Sequence, residues 1–370
     1  MANTPSTEYS NVHKSNPFKH LESGKYVAGD FGEYDKYNGS SDDEKKEFRT
    51  TKITKPDWYD ETKFKNGQKF YHDYTLSIFF GFLCSLVVGF TVERLASALV
   101  FTGESSTPDK ARKRYLKTAS YLALWHCGDI FDEASDANWA MLQVRRLHAD
   151  VRRRMPKAGG RYLNSTSITD KPYCSLNATC SGPWDNITPD GSHDSGEINI
   201  SQYDMALVQT GFIGPFVLFP EDVGIPSGSE QLLEDYVYFW RVVGYGLGIC
   251  DKYNICGQGL QYAFDCCKQV EREVIVPGLV FRSKVFEDLS DALINGLRVI
   301  LPWLSRNVLY AYMFRRFGLP SPTLTCLEHL VLFGIRFVFF IYSKFYLFRW
   351  IVNARVQKHI VYTCKMFHLM

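Results

Sequence analysis

Apolar side chains recur along this chain at helical spacing. Over several long stretches they return every three or four positions, and there is no series of strictly alternating segments of the kind that half-buried strands show. A helix is predicted from Pro108 to about His126, because Thr107 can cap it and proline fits the first helical position. Two further helices are predicted over about 136–155 and 229–249. These patterns predict an all-α fold.

Two segments are apolar on nearly all faces. Residues 75–92 form 18 consecutive positions without a charge, which is the lower edge of the length that crosses a membrane. Residues 327–350 are more aromatic but contain Arg336 and Lys344, which would be costly facing lipid. Either segment could instead be a buried core helix. The basic residues that follow the second segment suit a cytoplasmic end.

Composition divides the chain into regions. Residues 1–56 are rich in polar residues with little periodicity and are predicted to be a mostly disordered tail. Residues 57–320 are predicted to form the main domain, into which a loop over 156–200, rich in Gly, Ser, Pro and Asn, is inserted. Residues 321–370 form an apolar carboxy-terminal segment that could anchor the chain to a membrane. The first residues lack the apolar stretch of a signal peptide, so we expect entry into a secretory compartment to need an internal anchor.

The inserted loop carries a dense cluster of glycosylation sequons. Two of its cysteines are also spaced to close a small disulfide loop in an oxidising compartment. The sequons begin at Asn164, Asn177, Asn186 and Asn199, and the cysteines are Cys174 and Cys180. A second short separation, between Cys250 and Cys256, could close a similar loop. We therefore predict that the loop over 156–200 is glycosylated and lies on a lumenal or extracellular side.

Charge and cysteine usage exclude two classes of protein. Forty-two Lys and Arg residues nearly cancel 40 Asp and Glu residues, and the net charge of +2 provides no field that would attract a nucleic acid. The ten cysteines show no paired CxxC spacing, which argues against a zinc ribbon or an iron-sulfur cluster. We expect no nucleic-acid partner.

One histidine lies among five arginines in the stretch QVRRLHADVRRRM, residues 143–155. At about 100° per residue, His148 falls on the same apolar arc as Val144, Leu147, Val151 and Met155. Arg146 and Arg153 fall on the opposite side, while Arg145 and Arg152 flank the histidine. An inward histidine can be a satisfied core residue, a catalytic base or a metal ligand. Arg145 and Arg152 could pair with the carboxylates of a ligand held beside it.

The preceding helix has polar groups on a largely buried surface. One stripe of it carries Arg114, Lys117, Thr118, Tyr121 and Trp125. Buried cations need partners. These could be the nearby acids Asp129, Asp132 and Glu133, or the cations could line a polar cavity that holds a cofactor.

The motif Arg-x-x-Lys-Thr (Arg114, Lys117, Thr118), followed thirty residues later by a helical histidine (His148), resembles a known family. It is similar to the haem-b oxygenases that comprise latex clearing protein and the ER-bound oxygenase of mycophenolic acid biosynthesis. The downstream segments DMALVQTGFIGPFVLFPEDVGI and YVYFWRVVGYGLGI resemble helices of the same domain. The resemblance covers about residues 70–320 and implies a single helical haem-binding domain with a globin-like core.

The resemblance implies a role for each matched residue. His148 would be the proximal ligand of haem iron, and Lys117 a distal ligand in a closed, resting form. Arg114 and Thr118 would shape the catalytic pocket with Lys117, and Arg145 and Arg152 are candidates for binding the haem propionates. The implied chemistry is O₂ activation and oxidative cleavage of a carbon-carbon double bond in an apolar substrate, an isoprenoid or another unsaturated lipid. The implied location is the endoplasmic reticulum or another endomembrane.

One position departs from the family. Rubber-cleaving members carry a pocket glutamate about sixteen residues before the motif arginine, and this chain has Ala98 there. Glu93 and Glu104 are near in sequence but out of register. The catalytic base therefore stays open, and two alternatives remain: a haem-binding protein without oxygenase activity, and a membrane scaffold without a cofactor.

Overall fold

The computed structural model describes residues 17–31, 52–155 and 199–366. Within these ranges the regular structure is helical, apart from one isolated antiparallel bridge between Ala28 and Ser201. The predicted all-α class is confirmed.

Thirteen α-helices follow one another along the described chain. In order they are α1 Pro17–Glu22, α2 Glu61–Gly89, α3 Glu93–Thr102, α4 Pro108–Cys127, α5 Asp136–Arg154, α6 Gln202–Leu218, α7 Glu230–Gly246, α8 Leu260–Val270, α9 Val276–Phe281, α10 Lys284–Leu297, α11 Arg306–Phe314, α12 Cys326–Lys344 and α13 Tyr346–Met366. A π-helical turn, Glu271–Ile275, joins α8 to α9. Short 3-10 turns cover Ser23–Tyr26, Glu221–Val223 and Asp251–Tyr253.

The helices that carry the predicted site begin where the sequence places them. The Thr107 hydroxyl accepts a hydrogen bond from the backbone N–H of Lys110, and Pro108 occupies the first turn of α4. Ser135 caps α5 in the same way, through the N–H of Ala137. These caps satisfy backbone donors that a helix start leaves free, so local sequence is enough to fix both starting points.

The long helix α2 lies at the centre of the molecule, packed against α6, α7 and α13. It approaches α7 closely at Gly67, where an added Cβ would lie 2.4 Å from the Cβ of Phe239 and 2.5 Å from the carbonyl oxygen of Asp235. Phe70 stacks on Tyr236 of α7 with ring centroids 4.0 Å apart. A second layer is formed by α4, which packs between α5 and α10.

A kink at Tyr74 divides α2, and an asparagine from α13 repairs the broken hydrogen bonds. The backbone of Tyr74 leaves helical geometry (φ −139°, ψ 35°). The buried Asn353 amide donates to the carbonyl of Asp73 at 2.6 Å, while its oxygen accepts from the N–H of Leu76 at 3.1 Å. Buried backbone groups are costly when unpaired, so this side chain ties α13 to the centre of the fold.

The prediction of one disordered tail over 1–56 was wrong for residues 17–31 and for the last residues of that range. Helix α1 and the turn after it pack on the body, with Leu21 1% and Phe31 0% exposed. Ile53 is also buried. Two or three apolar side chains in a polar stretch show no periodicity, yet each of them is buried in the core.

Several sequence predictions lie outside the described residues. They concern most of the glycosylated loop, including Asn164, Asn177, Asn186, Cys174 and Cys180. The candidate pair Cys250 and Cys256 is described: both thiols are free, the first exposed and the second buried.

Two helices of the described chain, α2 and α12, are long and apolar enough to cross a membrane. Half of the apolar stretch of α2 is buried inside the protein, which agrees with the core-helix alternative for residues 75–92. Only 17% of the corresponding stretch of α12 is buried.

Candidate functional site

A cavity of about 1530 Å³ lies between the helices. Its wall includes parts of α2 to α8, of α11 and of α13, and most of the side chains are aliphatic or aromatic. Ordinary ligand pockets measure roughly 300–1,000 Å³. The cavity can therefore hold a large cofactor together with an apolar substrate.

His148 of α5 lies on the cavity wall. Its Nδ1 atom is buried and has no hydrogen-bond partner among the described residues. The ring contacts Phe31, whose centroid is 5.8 Å away at an angle of 57°. Buried polar atoms in native proteins are almost always paired, so this nitrogen on the cavity wall is a candidate ligand atom.

The surroundings of His148 keep its imidazole neutral. Burial, together with the positive charges of Arg114 and Arg145, lowers the pKa of His148 from 6.5 to about 4. A neutral imidazole has a lone pair available for a metal ion. Near neutral pH this side chain is therefore in the form that binds iron.

Helix α4 places the three residues of the Arg-x-x-Lys-Thr motif on the same cavity wall. The Arg114 guanidinium donates to the Thr102 hydroxyl at 2.8 Å, at the last turn of α3, where the helix dipole favours a cation. Thr118 donates to the carbonyl of Arg114 at 3.1 Å. Lys117 is exposed, and its ammonium lies 5.7 Å from the ring centroid of Tyr121.

Two of the three acids that could have neutralised the α4 cations form ion pairs elsewhere, and the third, Asp132, accepts from the N–H of Ala134 at 3.0 Å. Asp129 forms an ion pair with Lys55 at 3.8 Å, and Glu133 forms one with Lys52 at 3.2 Å. Of the two readings left open by the sequence, the structure therefore favours the one in which Arg114 and Lys117 line a cavity.

The arginines of α5 are arranged differently from the expectation. Arg145 and Arg152 do not line the cavity: their guanidinium groups donate to the carbonyls of Gly246 at 2.8 Å and Gly29 at 2.7 Å. Arg146 and Arg153, which were expected on the far side, line it instead. The cavity extends beyond the expected arc and reaches both arginines. Because the arc faces an open cavity rather than a packed core, Leu147 is 48% exposed.

Four carboxylates line the cavity, and three of them are engaged. Asp204 pairs with Arg94 at 2.5 Å, Asp150 with Arg153 at 3.0 Å, and Glu271 with Lys268 at 2.9 Å. Glu104 makes no hydrogen bond or ion pair with a described residue, and its charge acts on Arg114. Ala98, at the position of the family glutamate, also lines the cavity.

Two glycines of helix α6 leave open space in the cavity wall. A Cβ added at Gly214 would meet no atom within 4 Å, and one added at Gly211 would meet only the Cβ of Ser85 at 3.8 Å. Both glycines line the cavity. The Gly-Pro segment that looks like a break in the sequence is part of a continuous helix that leaves room for a ligand.

A second histidine of the described chain, His126, is buried away from the cavity. His126 is 1% exposed, and its Nδ1 hydrogen-bonds the carbonyl of Leu122 at 2.7 Å. Its ring stacks on Tyr71 and Phe239, and it does not line the cavity. Sequence reasoning missed Arg146 and Glu104 as residues of the cavity wall, and Phe31 as the ring that contacts His148. Only Glu104 left a signal, as a carboxylate ten residues before the motif arginine.

Two comparisons with known proteins support the family resemblance. Residues 70–168 match a family model described as "ER-bound oxygenase mpaB/B'/Rubber oxygenase, catalytic domain", and this range contains Arg114, Lys117, Thr118 and His148. A solved structure titled "Structure of Latex Clearing Protein LCP in the closed state" matches with a TM-score of 0.53 and 15% identity, covering 90% of this chain and 81% of that chain. At this identity the structural match shows a shared helical fold. No curated protein sequence matches the chain.

Proposed function

We propose that this chain is a membrane-associated, haem-b-dependent oxygenase that cleaves a carbon-carbon double bond in an apolar substrate. The observation that carries the proposal is the neutral imidazole of His148, with its unpaired Nδ1, on the wall of a large apolar cavity. The match to an oxygenase catalytic domain over residues 70–168 supports the same reaction class.

The residues present fit a haem. His148 offers an imidazole nitrogen to the iron, and the open space beside Gly211 and Gly214 admits a flat ring system. Arg146 lines the cavity and would pair with the haem carboxylates in place of Arg145 and Arg152, whose guanidinium groups are held by backbone carbonyls. Lys117 would act as a second, displaceable ligand. Bound haem supplies the iron that binds and activates O₂.

The chain itself binds and orients the substrate. Apolar walls exclude water and would hold an alkene, while Arg114, fixed by Thr102, would place a positive charge on the cavity wall. We assign proton transfer to Glu104, the cavity carboxylate without an ion-pair partner. The overall reaction balances without an external reductant, because both atoms of O₂ enter the two carbonyl products.

The test is oxygen uptake by haem-loaded protein supplied with isoprenoid and other unsaturated lipids, with carbonyl products identified by mass spectrometry. We expect Glu104→Gln to bind haem normally and to turn over about a hundredfold more slowly, within the range of general acid-base catalysis. Asp150→Asn is the matched control, because both oxygens of that cavity carboxylate are already paired, with Arg153 at 3.0 Å and Arg154 at 2.5 Å.

Two outcomes would favour the alternatives. Haem binding without oxygen uptake on any lipid would indicate a sensor or carrier. Failure to bind haem at all would indicate a membrane scaffold. For location we propose the endoplasmic reticulum or another endomembrane, which the words "ER-bound" in the family description support.

A further inference from the structure

The carboxy-terminal hairpin, defined as α12 and α13, carries an unusual share of the exposed apolar surface. Of the twenty large hydrophobic side chains that are exposed among the described residues, twelve lie on these two helices and a thirteenth, Phe345, lies between them. They are Leu327, Leu330, Phe333, Phe337, Val338, Phe340, Phe345, Tyr346, Leu347, Trp350, Ile351, Val361 and Tyr362. Large exposed apolar patches mark sites of contact with a partner or a membrane.

The charged positions of the hairpin are nearly all positive. Between residues 326 and 362 there are five cations, Arg336, Lys344, Arg349, Arg355 and Lys358, and one acid, Glu328. Glu328 is engaged in the cap of α12, where it accepts from the backbone N–H of Thr325 at 2.9 Å. Apolar surface with interspersed cations and exposed Trp and Tyr is the composition that binds the interface of an anionic lipid leaflet.

Both ends of α12 are attached to the body of the protein. At its start, Ser305 donates to Glu328 at 2.5 Å. Near its end, the fully buried Tyr342 donates to Asn353 at 2.7 Å, and Asn353 is bonded to the kink of α2. One face of α12 therefore packs on the protein along its length while the other is exposed. This geometry fits a helix lying in the membrane plane and not one that crosses it.

The hairpin and its neighbour also form part of the cavity wall. Val356 and His359 of α13 line the cavity, as do Tyr312 and Met313 of α11, the helix on which α12 packs. The exposed apolar surface and the apolar cavity are thus separated by one layer of helices. A lipophilic molecule dissolved in a bilayer beneath the hairpin would reach this layer without passing through water.

We propose that the carboxy-terminal hairpin lies in the plane of an anionic leaflet, with its apolar face among the acyl chains, and that apolar substrate reaches the cavity from the bilayer on this side. The membrane contact is independent of the chemistry, whereas the substrate route rests on the proposed function. The hairpin thereby gives the proposed membrane association a defined surface and orientation.

The first experiment is co-flotation of the full-length protein with vesicles of phosphatidylcholine, with and without phosphatidylserine. We expect stronger binding to the mixed vesicles and weakening by salt. Phe333→Glu with Phe337→Glu should lower the partition coefficient at least tenfold, since each phenylalanine removed from lipid costs more than 1.4 kcal/mol. Phe264→Glu with Val299→Glu, exposed apolar positions elsewhere, is the matched control and should bind as the wild type does.

The second experiment distinguishes a helix in the plane from one that spans. On preformed vesicles, a membrane-impermeant maleimide should label both Cys326 and a cysteine introduced as Lys344→Cys, at the two ends of α12. Protection of one end alone would overturn the in-plane arrangement. Unchanged flotation of the double glutamate variant would overturn the surface assignment, as would a dimer in solution that this variant dissociates.

Measurements of substrate cleavage distinguish the oxygenase proposal from the hairpin proposal. If the oxygenase proposal fails, flotation and labelling still report on the hairpin. If the hairpin proposal fails, the glutamate variant cleaves bilayer-dissolved and detergent-dispersed substrate equally well. If both hold, the variant loses activity on bilayer-dissolved substrate alone.

Discussion

Two histidines each have a buried nitrogen without a hydrogen-bond partner among the described residues, but we expect only His148 to bind a cofactor. His148 and His126 both have a pKa lowered mainly by burial, to about 4 and about 3 respectively. The first ring faces a cavity and the second is enclosed by aromatic rings. Helical spacing could single out His148, because its arc and its distance from the α4 motif are local properties of the sequence. The enclosure of His126 by Tyr71 and Phe239 depends on helices far apart along the chain.

His126 should make the protein sensitive to acid. Its pKa is lower in the folded state than in the unfolded state, so between pH 6.5 and about 3 the unfolded chain binds one proton that the folded chain does not. The free energy of unfolding should therefore fall by about 1.4 kcal/mol per pH unit as the pH drops through this window. His126→Phe keeps the ring stacking and removes the titration.

The measurement is the melting temperature of both proteins at pH 7 and pH 5. We expect the wild type to lose more than the His126→Phe variant over this interval. Equal losses in the two proteins would show that His126 takes up its proton at an ordinary pKa.

At the scale of helices, boundaries were predictable and interior packing was not. Thr107 and Pro108 place the start of α4 because caps act within one turn. The segment containing Gly211, Gly214 and Pro215 looked broken in the sequence, but neighbouring helices support it as one helix. Whether a glycine serves close packing or leaves a cavity open depends on the partner helix, which local sequence does not specify.

Two glycines should respond oppositely to the same substitution. Gly67→Ala should cost about 1–3 kcal/mol, because the added methyl group collides with Phe239 and the Asp235 carbonyl across the α2 and α7 contact. Gly211→Ala should be neutral or stabilise by up to about 1 kcal/mol, because its methyl group enters the cavity and alanine favours a helix. Thermal unfolding of the two variants tests both. A stable Gly67→Ala protein would mean that α2 and α7 are farther apart than described.

At the scale of the whole molecule, the site is closed by parts of the chain that showed no signal in the sequence. Phe31 lies against His148 although 117 positions separate them, and Gly29 accepts a hydrogen bond from Arg152. Residues 17–31 were expected to be disordered because their composition is polar. A few buried side chains suffice to order a segment when the rest of the fold offers them a place. The motif residues were identifiable because they lie on two consecutive helices.

The proposal that Arg145 and Arg152 bind the haem propionates rested on helical spacing alone. The spacing of Arg145 and Arg152 relative to His148 was correct, but their partners, Gly246 and Gly29, come from distant segments. Arg146 lines the cavity because the opening is wider than the arc of one helix. Contacts of this kind follow from the assembled fold and not from helical periodicity.

The central claim is that His148 holds a haem in this cavity, and the most direct test is the visible absorption spectrum of the full-length protein after haem is added. We expect stoichiometric binding with a Soret band in the wild type and in His126→Phe, and loss of that spectrum in His148→Ala. A wild type that binds no haem, or a His148→Ala variant with an unchanged spectrum, would contradict the account.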